Sequence, residues 1–164
     1  MRQLIFFFSL LFSGIQSVNA QSSCLPEGIS FYNQAQIDNF PSIYTGCAVI
    51  EGYVNIDTRN ALNVDSLIQI TLIQGDLNMS ENNITDLTGF ANLTGIYGNA
   101  WFSENSFSSF NGMDSLGYIG GTLGVSESYG LNSLDGLQNL TLIGGDLDLE
   151  DNSNLVNIDA LSGL

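Results

Sequence analysis

The sequence predicts a mainly β solenoid of five stacked coils, and three periodic features predict it. The pair Ile-x-Gly recurs with spacings of 23, 23, 23 and 24 residues, at Ile50/Gly52, Ile73/Gly75, Ile96/Gly98, Ile119/Gly121 and Ile143/Gly145. A stretch of alternating apolar and other residues follows each pair, and then a row with an apolar residue at every third position. A repeat of this length indicates one supersecondary unit that buries its apolar face only by stacking on its neighbours.

The repeat divides the second part of the chain into five units, with bounds 48–70, 71–93, 94–116, 117–140 and 141–164. The apolar members of the alternating stretches are Val54/Ile56, Leu77/Met79, Ala100/Phe102, Leu123/Val125 and Leu147/Leu149. This alternation predicts strands with one buried face, which would pair in register as a parallel sheet. The threefold rows, such as Ile84, Leu87, Phe90 and Leu93, predict tightly turning chain with short three-residue helical pieces.

A polar or glycine column stands immediately before each threefold row, at Asn60, Asn83, Ser106, Gly130 and Asn154. Asn and Gly tolerate the left-handed backbone that a sharp corner requires, so the column predicts a turn in every coil. The stacked Asn side chains also predict a ladder of amide hydrogen bonds along the molecule.

Residues 1–20 have the features of a secretory signal peptide. Arg2 supplies the charged start, an apolar run follows from Leu4 to Phe12, and small residues lead to Ala20, which predicts cleavage before Gln21. The apolar run is too short to span a bilayer, and no later segment is long enough, so we expect no transmembrane segment. The sequence therefore predicts an exported protein, secreted or held at the cell surface.

Residues 21–47 do not fit the repeat and predict an N-terminal cap. Cys24 and Cys47 are the only cysteines, and in an exported chain such a pair predicts a disulfide that closes this segment. A helix from about Gln34 to Phe40, with Asn33 as its N-cap and its end near Pro41, would cover the first coil with Ala35, Ile37 and Phe40.

The charge of the chain limits the classes of partner. The formal net charge is −15, with 17 acidic residues, no His, and Arg59 as the only basic side chain beyond the leader. Nucleic-acid binding and attraction to anionic lipid both need cations, so both partners are disfavoured. Such a surface attracts cations or basic proteins, or serves only solubility.

The outward positions of the strands form the candidate binding surface, and Trp101 is its most informative residue. Trp101 is the only tryptophan and alternates out of phase with core positions, so we expect it exposed between Asn78 and Gly124. An exposed Trp is a frequent binding hot spot, although here it would also cover the glycine. The candidate ligand-binding residues are Trp101, Asn78, Asn99, Tyr53 and Asp76.

Metal binding and catalysis have weaker support. Asp146, Asp148 and Glu150 are weak candidates for a calcium site, because they lack the spacing of a calcium loop and alternation sends them to solvent. Without His or Lys beyond the leader, Ser or Cys nucleophile and His base pairs cannot be assembled. A carboxylate-based glycosidase is the remaining enzymatic alternative. We expect a non-catalytic protein without a cofactor.

The cap and repeat together carry a family resemblance. The chain has Cys24, the helix segment QAQIDNF, Cys47 and then units such as TLIGGDLDLEDNSNL and GLNSLDGLQNL. This order resembles receptor L-domain-like leucine-rich repeats, including those of secreted or surface proteins of Bacteroidetes. The resemblance implies a right-handed β-helix-like solenoid that binds protein or is adhesive. Because an uncapped last coil would expose a strand edge, we also expect the repeat array to continue beyond Leu164.

The leading functional hypothesis is a recognition or adhesion module that binds an extracellular protein or glycan on the strand face around Trp101. A purely structural spacer array is the first alternative, and a carbohydrate-active enzyme is the second. The sequence does not indicate the oligomeric state.

Overall fold

The structure is a computed structural model that describes residues 22–164, so the predicted signal peptide lies outside the described residues. In chain order the strands are β1 (Ser22–Cys24), β2 (Ile29–Phe31), β3 (Cys47–Ile50), β4 (Val54–Asp57), β5 (Leu72–Ile73), β6 (Leu77–Ser80), β7 (Gly95–Ile96), β8 (Ala100–Ser103), β9 (Tyr118–Ile119), β10 (Leu123–Ser126), β11 (Leu142–Ile143) and β12 (Leu147–Asp148). The α-helix α1 spans Gln34–Ile43, and 3₁₀ helices span Asp65–Leu67, Thr88–Phe90 and Asp159–Gly163.

The strands of the described residues form two parallel sheets of six strands each. The first sheet has the order β1-β3-β5-β7-β9-β11, and the second has the order β12-β10-β8-β6-β4-β2. Strands that are consecutive in the sequence therefore lie in alternate sheets, and each strand pairs with the strand one repeat unit away. A mainly β fold of parallel strands, as the alternating stretches predict, is confirmed.

The core contains the inward residues of both sheets together with the threefold rows. The isoleucines of the first four Ile-x-Gly pairs are fully buried, and so are the threefold rows of the first four repeat units. In the fifth unit, by contrast, Ile158 and Leu164 are about half exposed, since no further unit packs on them among the described residues.

The glycines of the Ile-x-Gly pairs let the backbones of successive units approach closely. The N–H of Gly75 donates to the carbonyl of Gly52 at 3.1 Å, and the N–H of Gly98 donates to Gly75 at the same distance. A Cβ placed on Gly75 would lie only 2.6 Å from the carbonyl carbon of Gly52. The recurrent Gly is therefore required by packing between backbones.

The left-handed corners lie two or three residues before the predicted column. Positive φ angles of 50° to 53° occur at Glu81, Glu104, Glu127 and Asp151, and none of the column residues has one. The predicted position of the corner was therefore wrong. The corner lies at the acid because the residue after it is buried. That residue turns into the interior, and these residues are Asn82, Asn105, Ser128 and Asn152.

The buried side chains at the corners form a ladder that satisfies the ends of the strands in the second sheet. Asn82 Nδ2 donates to the carbonyl of Ile56 at 2.9 Å, and Asn82 Oδ1 accepts from the N–H of Thr58 at 3.2 Å. Asn105 Nδ2 donates in the same way to the carbonyl of Met79 at 2.8 Å. The ladder that the sequence predicts thus lies one or two residues earlier, and inside the molecule.

The segment predicted to be an N-terminal cap contains a disulfide between Cys24 and Cys47, whose Cα atoms are 5.8 Å apart. The helix α1 begins as predicted, with Asn33 Oδ1 accepting from the N–H of Gln36 at 3.0 Å. Pro41 does not end it, contrary to prediction, and the helix continues to Ile43.

The buried face of α1 packs against the core through Phe40 and Ile37. The rings of Phe40 and Phe31 are 5.8 Å apart in an edge-to-face contact, and both side chains are buried. Ile37 is buried as predicted, whereas Ala35 is exposed and does not take part in covering the core.

Candidate functional site

The outer side of the second sheet carries all five candidate ligand-binding residues, and we call it the strand face. Its central row follows the register of the strands and consists of Asn55 on β4, Asn78 on β6, Trp101 on β8, Gly124 on β10 and Asp148 on β12. Parallel strands lie about 4.8 Å apart, so adjacent members of this row are in direct reach of one another.

Trp101 is 39% exposed and lies across its neighbour Gly124. A Cβ on Gly124 would overlap Cε3 and Cζ3 of the indole, which shows that the ring lies over the glycine backbone. Gly124 itself is buried under the ring, although it points outward. One face of the indole therefore packs on the sheet, and the exposed remainder of the ring is presented to solvent.

Asp76 and Asn99 are brought together, but their contacts are with each other. The backbone N–H and Nδ2 of Asn99 donate to Asp76 Oδ1 at 2.6 and 3.2 Å. Asn99 Oδ1 accepts from the N–H of Thr122 at 2.9 Å, and Thr122 Oγ1 accepts from the N–H of Asp146 at 3.2 Å. This row links successive repeat units, so much of the hydrogen-bonding capacity of Asp76 and Asn99 is already used.

Tyr53 and Trp101 are not brought together. The Tyr53 ring lies beside Gly28, where a Cβ would be 2.5 Å from Tyr53 Cδ1, while the indole of Trp101 leans toward the opposite end of the sheet. The strand β6 lies between the two aromatic residues and presents Asn78. Asn78 is half-buried, and its side chain makes no hydrogen bond to other residues of the described part of the chain.

The carboxylates of the last strand, named above as weak metal candidates, are not gathered into a cluster. Asp146 and Glu150 are exposed and Asp148 is half-buried, and no group of three or more acidic, His or Cys side chains within residues 22–164 is arranged to hold a metal ion. They form an acidic end to the strand face. The guanidinium of Arg59, the only basic group in residues 22–164, forms an ion pair with Glu81.

A pair of tyrosines, which sequence reasoning missed, lies on the outside of the first sheet. The rings of Tyr97 and Tyr118 are 5.4 Å apart, and Tyr118 covers Gly95 on the neighbouring strand. Burial, together with the neighbouring phenol of Tyr97, raises the pKa of Tyr118. The sequence held a signal for this contact, because Tyr118 and Gly95 occupy the same position in successive repeat units and pair in the sheet.

Comparison with known families finds a match to part of the chain. Residues 46–109 match the receptor L domain family. This segment is similar to a receptor L domain. The match contains all five candidate ligand-binding residues of the strand face. No curated protein and no solved structure matches the chain.

Two further observations concern the surroundings in which the chain would be stable. The disulfide between Cys24 and Cys47 is of a kind that persists in oxidising compartments. Among the described residues, no helix has the length and apolar character needed to cross a membrane.

Proposed function

We propose that this protein is a non-catalytic recognition or adhesion module, secreted or held at the cell surface, that binds an extracellular protein or glycan on the strand face. The disulfide and the signal-peptide features of residues 1–20 support an extracellular location. The receptor L domain match supports a role in ligand binding.

The architecture we propose for this role is a solenoid of five coils, one for each repeat unit of residues 48–164, above a cap of residues 21–47. The alternation of strands between two parallel sheets supports it. Stacked units make an extended rigid sheet, and a rigid surface loses little conformational entropy when a ligand binds.

The observation that carries the proposal is the presentation of Trp101. Its indole is supported from below by Gly124, so the ring is fixed in place before any ligand arrives. Tryptophan is enriched among residues that dominate binding energy, because it buries a large area at a small cost in side-chain entropy. The free side chain of Asn78, one strand away, adds a donor and an acceptor beside the ring.

A spacer array that binds nothing is the second candidate, and two contacts of the strand-face residues favour it. Asp76 and Asn99 are engaged in hydrogen bonds between repeat units, and Trp101 covers a glycine of the sheet. Each of these contacts serves the stability of the fold, which is all that a spacer needs.

A binding screen with Trp101→Ala separates the two candidates. Wild-type protein is applied to a glycan array and used as bait for extracellular proteins, and every captured ligand is then measured against the variant. We expect a loss of affinity of about tenfold or more, as for a central hot-spot residue.

Tyr97→Ala is the matched control, since it removes an aromatic side chain that is 53% exposed beside the other sheet. Ligands that bind both variants as tightly as wild type would place the site elsewhere, and the absence of any ligand would favour the spacer. Turnover of a polysaccharide by the purified protein would instead support a carbohydrate-active enzyme.

A further inference from the structure

The strand face carries negative charge at both ends and no free positive charge. Asp57 on β4 is exposed toward one end, and Asp146, Asp148 and Glu150 lie at the other end, on or beside β12. Asp146 and Glu150 are exposed, Asp148 is half-buried, and Asp76 is half-buried between the two ends. Arg59 is occupied by Glu81 and is the only basic residue of the described chain. A ligand with a complementary surface is therefore positively charged, and the acidic face would accelerate its approach.

The position of the indole relative to the carboxylates is suited to one kind of cation. Trp101 leans across Gly124 toward β12, and Asp148 is the next member of the same row after Gly124. Two strand spacings, about 10 Å, separate the backbones of Trp101 and Asp148, and the indole extends over the first of them. A guanidinium or ammonium group over the exposed part of the ring, within about 6 Å of it, is thus also on the side of the sheet that carries Asp148.

We propose that the ligand of the strand face is a basic segment of a protein, with an Arg or Lys side chain placed over the Trp101 indole and paired with Asp148. The inference rests on the proposed function and names the partner of that same site. The indole quadrupole attracts the cation, and Asp148 adds a charge-assisted hydrogen bond. Saccharides that carry carboxylate or sulfate are repelled by this face. A neutral saccharide would gain no binding energy from the charge of the face.

The test uses the fluorescence of Trp101, which is the only tryptophan of the chain and reports on the site directly. The probe is a short acetylated peptide of alternating arginine and serine, and the matched peptide carries neutral citrulline in place of arginine. We expect the arginine peptide to change the emission of Trp101 and the citrulline peptide to bind much more weakly. Added salt should weaken the arginine peptide further.

Two substitutions locate the contact. Asp148→Asn keeps the shape of the side chain and removes its charge, and we expect it to weaken the arginine peptide by roughly three- to tenfold, the scale of one exposed cation contact. Asp38→Asn removes an exposed charge from α1 and should leave binding nearly unchanged. Trp101→Ala, measured by calorimetry, should weaken binding as much as Asp148→Asn does.

Three results would overturn the inference. A basic partner would be rejected if the citrulline peptide bound as tightly as the arginine peptide, or if Asp148→Asn and Asp38→Asn had equal effects. It would also be rejected if Trp101 responded to a neutral oligosaccharide but not to the arginine peptide. A ligand from the earlier screen that depends on Trp101 would leave the proposed function standing in every one of these cases. Failure of the proposed function shows separately, as the absence of any ligand that depends on Trp101.

Discussion

At the scale of single residues, a buried amide at each corner fixes where the chain turns. Asn82 and Asn105 are each almost fully buried and hydrogen-bonded to carbonyls of the preceding repeat unit. The acid before each of them adopts a left-handed backbone, which is unfavourable for a Glu. We infer that the buried hydrogen bonds offset this cost, because they satisfy strand ends that would otherwise be unpaired in the interior.

Substitution of Asn82 by Ala should destabilise the protein by about 1–3 kcal/mol, since the buried carbonyl of Ile56 then loses its partner. The free energy of unfolding is measured by urea denaturation. Asn83→Ala is the control, because Asn83 also donates to a backbone carbonyl, that of Arg59, but at the exposed surface where water replaces it. Equal losses for the two variants would contradict a special role of the buried ladder.

At the scale of elements, the glycines of the Ile-x-Gly pairs set how closely neighbouring strands and corners stack. The surroundings of glycines differ along the chain. A Cβ at Gly75 would be within 2.7 Å of backbone atoms of Gly52 and Tyr53, whereas a Cβ at Gly117 would have its nearest neighbour at 3.6 Å. Backbone atoms held in a ladder cannot move aside as the end of a flexible side chain can.

Gly75→Ala should therefore cost about 1–3 kcal/mol or more, because the units must separate to admit the methyl group. Gly117→Ala should be neutral, or stabilising by about 0.5 kcal/mol, since Ala lowers the entropy of the unfolded chain. Thermal and urea unfolding of both variants measure the difference. A stable Gly75→Ala protein with unchanged unfolding would show that the close approach is not required.

At the scale of the whole molecule, the dominant property is charge. The chain has 17 acidic and two basic residues, and the one basic group of the described part is in an exposed ion pair with Glu81. An exposed pair of this kind contributes at most about 1 kcal/mol, so it does little against the mutual repulsion of the remaining carboxylates.

Screening of this repulsion should stabilise the protein. We expect the free energy of unfolding to rise by roughly 1 kcal/mol from low salt to about 0.5 M sodium chloride, where the Debye length is about 4 Å. Potassium chloride at the same concentration is the control, because screening does not depend on the cation. Unfolding that is insensitive to salt would show that the carboxylates are too far apart to repel one another measurably.

The sequence by itself determined the elements that follow from a period. These elements are the strands at Val54/Ile56 and its equivalents through the fourth unit, the buried rows of the first four units, the start of α1 and the disulfide partners. Each follows from alternation, spacing or capping, and a repeat of 23 or 24 residues gives every pattern several independent instances. The predicted 3₁₀ pieces occur in the first, second and fifth units only, and in the fifth unit Leu147 is exposed and Leu149 lies outside β12.

Only the tertiary structure decided the features that depend on contact between units. The left-handed residue of each corner is an acid such as Glu81 rather than the nearby Asn83, because burial of Asn82 outweighs the local backbone preference. The helix α1 passes through Pro41 and ends at Ile43, with Phe40 packed against Phe31. Trp101 and Tyr53 lie on one face yet lean apart, each over a different glycine, because the direction of a side chain is set by the space that the neighbouring strand leaves.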